Sequence, residues 1–176
     1  MILPSIRDKR FITIRRGGVL TDEDHHLLAI WAAHCAEHVL HYFEEARPDD
    51  ERPRRAIELV SEWVNGRISV KQAHAAAGYA NAAARNLIGA PKFAALSAGQ
   101  AVAVAHVAAH ELGAAAYAIR AVMVAVGEEE KALAGNRECQ WQRDRLPEKI
   151  RALVIEDEGL RNDICWQVFT INKIRP

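Results

Sequence analysis

Residues 101–126, AVAVAHVAAHELGAAAYAIRAVMVAV, form an alanine- and valine-rich run in which His106 and His110 stand one helical turn apart. Three more residues continue the same line at helical spacing: Gly113, Tyr117 and Arg120. The run is nearly apolar enough for a membrane span, but ionisable side chains lie near its middle, where lipid makes them costly. We therefore predict a buried helix of a protein that does not span a membrane.

The composition favours one compact domain, because half of the 176 residues are hydrophobic. The chain carries 23 basic and 23 acidic side chains, a net charge of zero. A chain without net charge has no overall electrostatic attraction to nucleic acid or anionic lipid, so we predict neither as a partner. The N terminus lacks the apolar region of a secretory signal, which predicts a cytoplasmic protein. The three cysteines show no CxxC spacing, which predicts reduced, buried thiols.

Capping and stop signals divide most of the chain into helices. Thr21 with Asp24 resembles a capping box, and Pro53 is well placed as the first residue of a second helix. Ser69 and Ser97 each precede a glutamine by three residues and are predicted to open the two alanine-rich helices. We predict helices over residues 22–46, 53–64, 70–87, 98–126, 137–146, 147–154 and 160–169.

Residues 10–20, RFITIRRGGVL, are the only stretch with strand character, because apolar side chains alternate and two glycines follow. We expect an extended N-terminal arm over residues 1–20 and a helical domain over residues 21–176. The expected fold is all-α, a single-domain multi-helix bundle. Its two alanine-rich helices should lie at the centre, because their small side chains allow close approach.

Three of the predicted helices carry a polar line with histidines. On the first helix the line contains His34 and His38 and lies opposite the apolar face of Cys35. The alanine-rich helices contribute what we call the polar seam, a possible ligand site: His74, His106, His110, Tyr117 and Arg120.

Two H-x-x-x-H pairs, His34/His38 and His106/His110, have a spacing that permits chelation of a divalent metal. No H-E-x-x-H motif or cysteine ligand accompanies them, so we predict no metal and no cofactor. Glu111 projects from the side of the helix opposite His110 and cannot act as a general base there. Without a G-x-S-x-G motif or an exposed cysteine, the sequence offers no catalytic residue.

A mixed-charge loop, DDERPRR (49–55), leads into the second helix. One interpretation is a solvated cap, in which the acids interact favourably with the positive end of the helix dipole and the arginines pair with the acids. The other is a loop that recognises a partner. Among the tryptophans, Trp63, Trp141 and Trp166 follow apolar patterns and are predicted core residues. Trp31 borders the polar line of the first helix.

Four segments together resemble a known family: WAAHCAEHVLHYFEEARPDDERPRRAIE (31–58), SVKQAHAAAGYANAAAR (69–85), AVAVAHVAAHELGAAAYAIRA (101–121), and WQRDRLPEKIRALV (141–154) with RNDICWQVF (161–169). They are similar to the bacterial immunity-protein-five-like family, which is associated with polymorphic toxin systems. The residues that match its pattern are Cys35, Glu37, the 50–55 loop, Ile57, His106, His110, Ala116 and Tyr117.

The resemblance implies a protein that binds and neutralises a cognate bacterial toxin without catalysis. We expect it to use the polar face of the first helix and the loop, through Glu37, Asp49, Asp50, Arg52, Arg54 and Arg55. One alternative is a small helical metal- or ligand-binding enzyme that uses the polar seam. Another is a structural oligomerisation module, and both a monomer and a homodimer are compatible with the sequence.

Overall fold

The computed structural model describes residues 2–170, so parts of the predicted arm and domain, residues 1 and 171–176, lie outside the described residues. Across the described range the chain forms eight α-helices and no strand, which confirms the predicted all-α multi-helix bundle. The helices are α1 (Asp22–Val39), α2 (His41–Ala46), α3 (Arg52–Val64), α4 (Val70–Ala83), α5 (Gly89–Ala103), α6 (Glu111–Ala125), α7 (Lys131–Asp144) and α8 (Glu148–Arg161).

Local capping signals predicted the first half of the bundle well. The Thr21 hydroxyl accepts a hydrogen bond from the Asp24 backbone N–H at 3.1 Å and opens α1. The first predicted helix is divided at Leu40, which separates α1 from α2. Pro53 lies in the first turn of α3, and Ser69 forms the predicted capping box at the start of α4.

The prediction of one helix over residues 98–126 is wrong. Gly89, with a φ of +67°, begins α5 instead of separating two helices. Ser97 is fully buried inside α5, and its hydroxyl donates to the Ala114 carbonyl of α6 at 2.7 Å. Its predicted capping box is wrong, because a hydroxyl that bonds a neighbouring helix has the same sequence signature as a cap. The chain leaves α5 after Ala103, turns back, and forms α6 antiparallel to it.

Small side chains bring α5 and α6 together at the centre of the molecule. α5 contacts α1, α2, α3, α4 and α6, and its buried positions are mostly alanines. A Cβ atom on Gly113 would lie 2.5 Å from the Gln100 Oε1 atom of α5, so any larger residue would displace the Gln100 side chain. α4 buries one face and exposes the other. The centre is therefore α5 with α6, not α4 with a longer helix.

The N-terminal arm is folded instead of extended. It contains two turns of 3-10 helix, Lys9–Phe11 and Ile14–Arg16, and a single β-bridge joins Thr13 to Leu20. Burial of Phe11 and Leu20 in the core requires the chain to double back, which prevents an extended run.

The C-terminal part packs back on the bundle. Ile150 and Val154 of α8 are buried, and α8 extends the predicted helix over residues 147–154 as far as Arg161. Most of the predicted helix over residues 160–169 is a 3-10 turn at Asp163–Cys165 followed by further turns. Within residues 2–170, no helix is sufficiently long and apolar to cross a membrane.

Candidate functional site

The exposed polar line of α1 lies beside α7. His34, Glu37 and His38 are exposed, whereas Cys35 is fully buried on the other side of the helix, as the spacing predicted. Trp141 and Arg145 of α7 border the same line. Together these five residues line a shallow cavity of about 480 Å³, which we call the α1 face.

Buried groups hold the aromatic part of the α1 face in place. The His38 Nδ1–H donates to the Glu138 carboxylate at 2.8 Å, and its ring stacks on Trp141 with 3.7 Å between centroids and an angle of 4°. The Arg145 guanidinium carbon lies 3.8 Å from the Trp141 ring centroid. Glu138 is itself buried and accepts a second bond from Gln142 at 2.9 Å. The cluster is therefore ordered before any partner arrives.

The charged loop adjoins this surface, and its arginines are paired. Arg52 binds Asp50, Arg54 binds Glu44, and Arg55 binds both Glu58 and Glu62. These pairings are the ones expected of a solvated, capped loop.

Two acids that we predicted to bind a partner retain free carboxylates. Glu37 and Asp49 are exposed and form no ion pair among residues 2–170. The pKa of Arg54 is raised, chiefly by its hydrogen bond to Glu44 and also by the nearby charge of Glu37. Glu37, which lines the α1 face, is thus close to Arg54 of the charged loop.

The polar seam does not assemble as one site. The rings of His74, His106 and His110 lie together, with centroids 4.4 Å apart for the first pair and 5.1 Å for the second. Tyr117 and Arg120 lie elsewhere, against Phe93 and Trp166. The line is broken because His106 belongs to the turn between α5 and α6 and not to a continuous helix.

Two histidines of the seam, His106 and His110, lie in surroundings that favour the neutral ring. Burial lowers the pKa of His106, and it lowers the pKa of His110 to about 4. His110 Nδ1 lies 2.8 Å from Gln100 Oε1, so a neutral ring donates to that amide oxygen. Across the described part of the chain, no group of three His, Cys, Asp or Glu side chains is arranged to hold a metal ion.

Three tryptophans lie where the sequence did not place them. Trp31 is completely buried, and its indole N–H donates to the Gln142 carbonyl at 2.9 Å. Trp166, predicted in the core, is 43% exposed. Trp141 is half-buried on the α1 face, so sequence reasoning missed its place in the site. Its spacing of four residues from Arg145 is the signal that could have revealed the pair.

The sequence of the chain matches a family model over most of its length. The match runs over residues 18–149, and the description of that family is Imm-5 like putative immunity protein. The chain belongs to this family. The predicted resemblance is thereby confirmed, and the matched range includes the whole α1 face and the charged loop. No curated protein and no solved structure shows significant similarity to the chain.

Proposed function

We propose that this member of the Imm-5 like family binds and inhibits a cognate protein toxin through the α1 face and the adjoining loop. The single observation that carries the proposal is the half-buried Trp141, which lies between the His38 ring and the Arg145 guanidinium on a surface that also presents unpaired Glu37. Family membership supports a role in immunity, and the geometry supports this surface as the place of contact.

The composition of the α1 face is typical of the centre of a protein interface. Tryptophan and arginine are the residues most often responsible for binding energy there, and a polar rim usually surrounds them. Trp141 and Arg145 provide such a centre, while the loop over residues 49–55 provides charged groups at the edge. Because Glu138 already orders His38, binding loses little side-chain entropy.

The cysteines support inhibition by binding instead of by covalent chemistry. Burial raises the pKa of Cys35, and it raises the pKa values of Cys139 and Cys165 to about 12. Such thiols stay protonated at neutral pH and are poor nucleophiles. On the α1 face, His38 has its Nδ1–H committed to Glu138.

The test takes as its probe the product of a neighbouring gene that is toxic when expressed alone, produced together with the full chain. We expect Trp141→Ala and Arg145→Ala each to weaken toxin binding at least tenfold by calorimetry, about 1.4 kcal/mol or more. We expect the combined Glu37→Ala, Asp49→Ala and Arg54→Ala variant to lose protection of cells that express the toxin. Trp166→Ala is the matched control, because it removes an exposed indole that lies away from the α1 face.

Unchanged toxin binding by folded variants would contradict the assignment of the α1 face as the interface. If Trp141→Ala and the triple variant fold, as judged by far-UV circular dichroism, and still bind the toxin with unchanged affinity, the α1 face is not the interface. An equal loss in Trp166→Ala would show a general effect on the fold and would also contradict the assignment.

A further inference from the structure

A second concave site lies at the opposite end of α1. It is a cleft of about 590 Å³ between the N-terminal arm, the start of α1, the turn before α4 and the turn before α6. His25 and His26 line it, twelve residues before Glu37 and His38. At the rise of an α-helix this separation is about 18 Å, so the cleft is distinct from the α1 face.

Arginines give the cleft an excess of positive charge. Arg7, Arg15 and Arg16 all line it. Arg15 pairs with Asp22, and Arg16 donates to the His106 carbonyl at 3.2 Å, which leaves its charge uncompensated. Arg7 has neither a hydrogen bond nor an ion pair within the part of the chain that the structure describes. Two full positive charges therefore face the cleft without an anion.

The acid in the cleft does not neutralise these arginines. Among the described residues, Asp8 is the only carboxylate in the lining. Arg10 binds it through both its backbone N–H at 2.8 Å and its guanidinium at 2.9 Å. These hydrogen bonds hold the pKa of Asp8 below its ordinary value.

A buried donor or acceptor in the wall also lacks a partner. His106 Nδ1 is buried and has no hydrogen-bond partner within residues 2–170. The pKa of His106 is lowered mainly by burial, and the charges of His74, Arg16 and Arg7 contribute to that shift. A bound anion in the cleft would offset the unfavourable effect of the Arg7 and Arg16 charges on protonated His106.

The backbone also contributes positive electrostatic potential to the cleft. Residues 68–70 line the cleft, and they form the N terminus of α4, a helix of 14 residues. The capping box occupies the N–H groups of Ser69 and Gln72, so the contribution of this end of α4 is the positive end of its helix dipole, which favours phosphate and carboxylate groups. The cleft also contains the side chains of Phe11 and Trp63, which offer apolar surface. The volume of the cleft is in the range of small-molecule sites and is larger than a single inorganic anion would fill.

We propose that the cleft binds a small molecule that carries a phosphate or carboxylate group on an apolar body. The anionic group contacts Arg7, Arg16 and the N terminus of α4, and the apolar part lies against Trp63. This site is independent of toxin binding at the α1 face, and either proposal can fail alone.

The test is calorimetric titration of the full chain at low ionic strength with inorganic phosphate, phenyl phosphate and benzoate. We expect saturable binding of one molecule per chain, with phenyl phosphate tighter than inorganic phosphate because of its ring. Arg7→Gln should weaken binding at least tenfold, and it spares every hydrogen bond of the fold. Arg85→Gln is the matched control, since it removes an exposed arginine in the turn after α4, outside the cleft.

The three probes separate the two sources of the anion. Binding of phenyl phosphate without benzoate identifies a phosphate ligand, and the reverse identifies a carboxylate ligand. A ligand-dependent NMR shift of the His106 ring, absent in Arg7→Gln, would place the anion in the cleft. Lack of saturable binding by any probe, or equal weakening in Arg85→Gln, would overturn the proposal.

Discussion

At the residue scale, His110 makes the stability of the fold sensitive to acid. Burial lowers its pKa to about 4, whereas an unfolded histidine titrates near 6.5. Between these values the unfolded chain binds more protons than the folded one, so stability falls as the pH decreases from about 6.5 to about 4. The loss is up to about 3 kcal/mol. Urea unfolding at pH 7, 5.5 and 4.5 measures it.

A pair of variants isolates the contribution of His110. In His110→Gln the free energy of unfolding should depend less on pH over this range, because the variant side chain does not titrate. His41→Gln is the control, since His41 is exposed on α2 and should leave the wild-type profile unchanged. Identical pH profiles for wild type and His110→Gln would show that other groups cause the acid sensitivity.

At the scale of elements, a buried ion network joins α6 to α8. The Arg161 guanidinium binds Glu111 at 2.8 Å, Asp157, and the Ala109 carbonyl at 2.8 Å. Burial raises the pKa of Glu111, and the charge of Arg161 opposes that shift. Arg161→Met should therefore cost about 3–5 kcal/mol, because it leaves two buried acids without a cation. Urea unfolding provides the measurement.

Two further variants decide whether the network causes that loss. Adding Glu111→Gln to Arg161→Met should restore part of the stability, because one buried charge then disappears. Arg137→Met changes an exposed arginine on α7 and should have little effect. If the double variant is less stable than Arg161→Met, the cost comes from lost packing and not from unpaired charge.

The elements also show where sequence reasoning succeeds. Thr21, Pro53 and Ser69 mark helix ends correctly, because a cap depends on residues within one turn. The break between α5 and α6 escaped prediction, because alanine favours helix throughout residues 101–126 and tertiary packing decides where the chain turns. Ser97 illustrates the ambiguity, since its partner is the distant Ala114 carbonyl.

At the scale of the whole molecule, the candidate site required contacts that spacing does not reveal. Glu37 and the loop were predicted to bind a partner, and the charge of Glu37 is close enough to contribute to the raised pKa of Arg54 in the loop. Trp141 and Arg145 were missed, because only the packing of α7 beside α1 brings them there. The cleft escaped notice for the same reason, since four separate segments line it. Sites within one helix are readable from sequence, and sites between elements are not.

The arm ties the beginning of the described chain to its last α-helix, and Phe11 is central to that connection. Phe11 is 6% exposed, the Arg161 guanidinium carbon lies 5.8 Å from its ring centroid, and neighbouring Arg10 pairs with Glu156 of α8. Phe11→Ala should lower the free energy of unfolding by about 3–5 kcal/mol, because it leaves a cavity in the core. Ile14→Ala, at a position 62% exposed on the same arm, should change it by less than about 0.5 kcal/mol. Urea unfolding followed by circular dichroism compares the two, and equal effects would mean that the arm does not stabilise the bundle through Phe11.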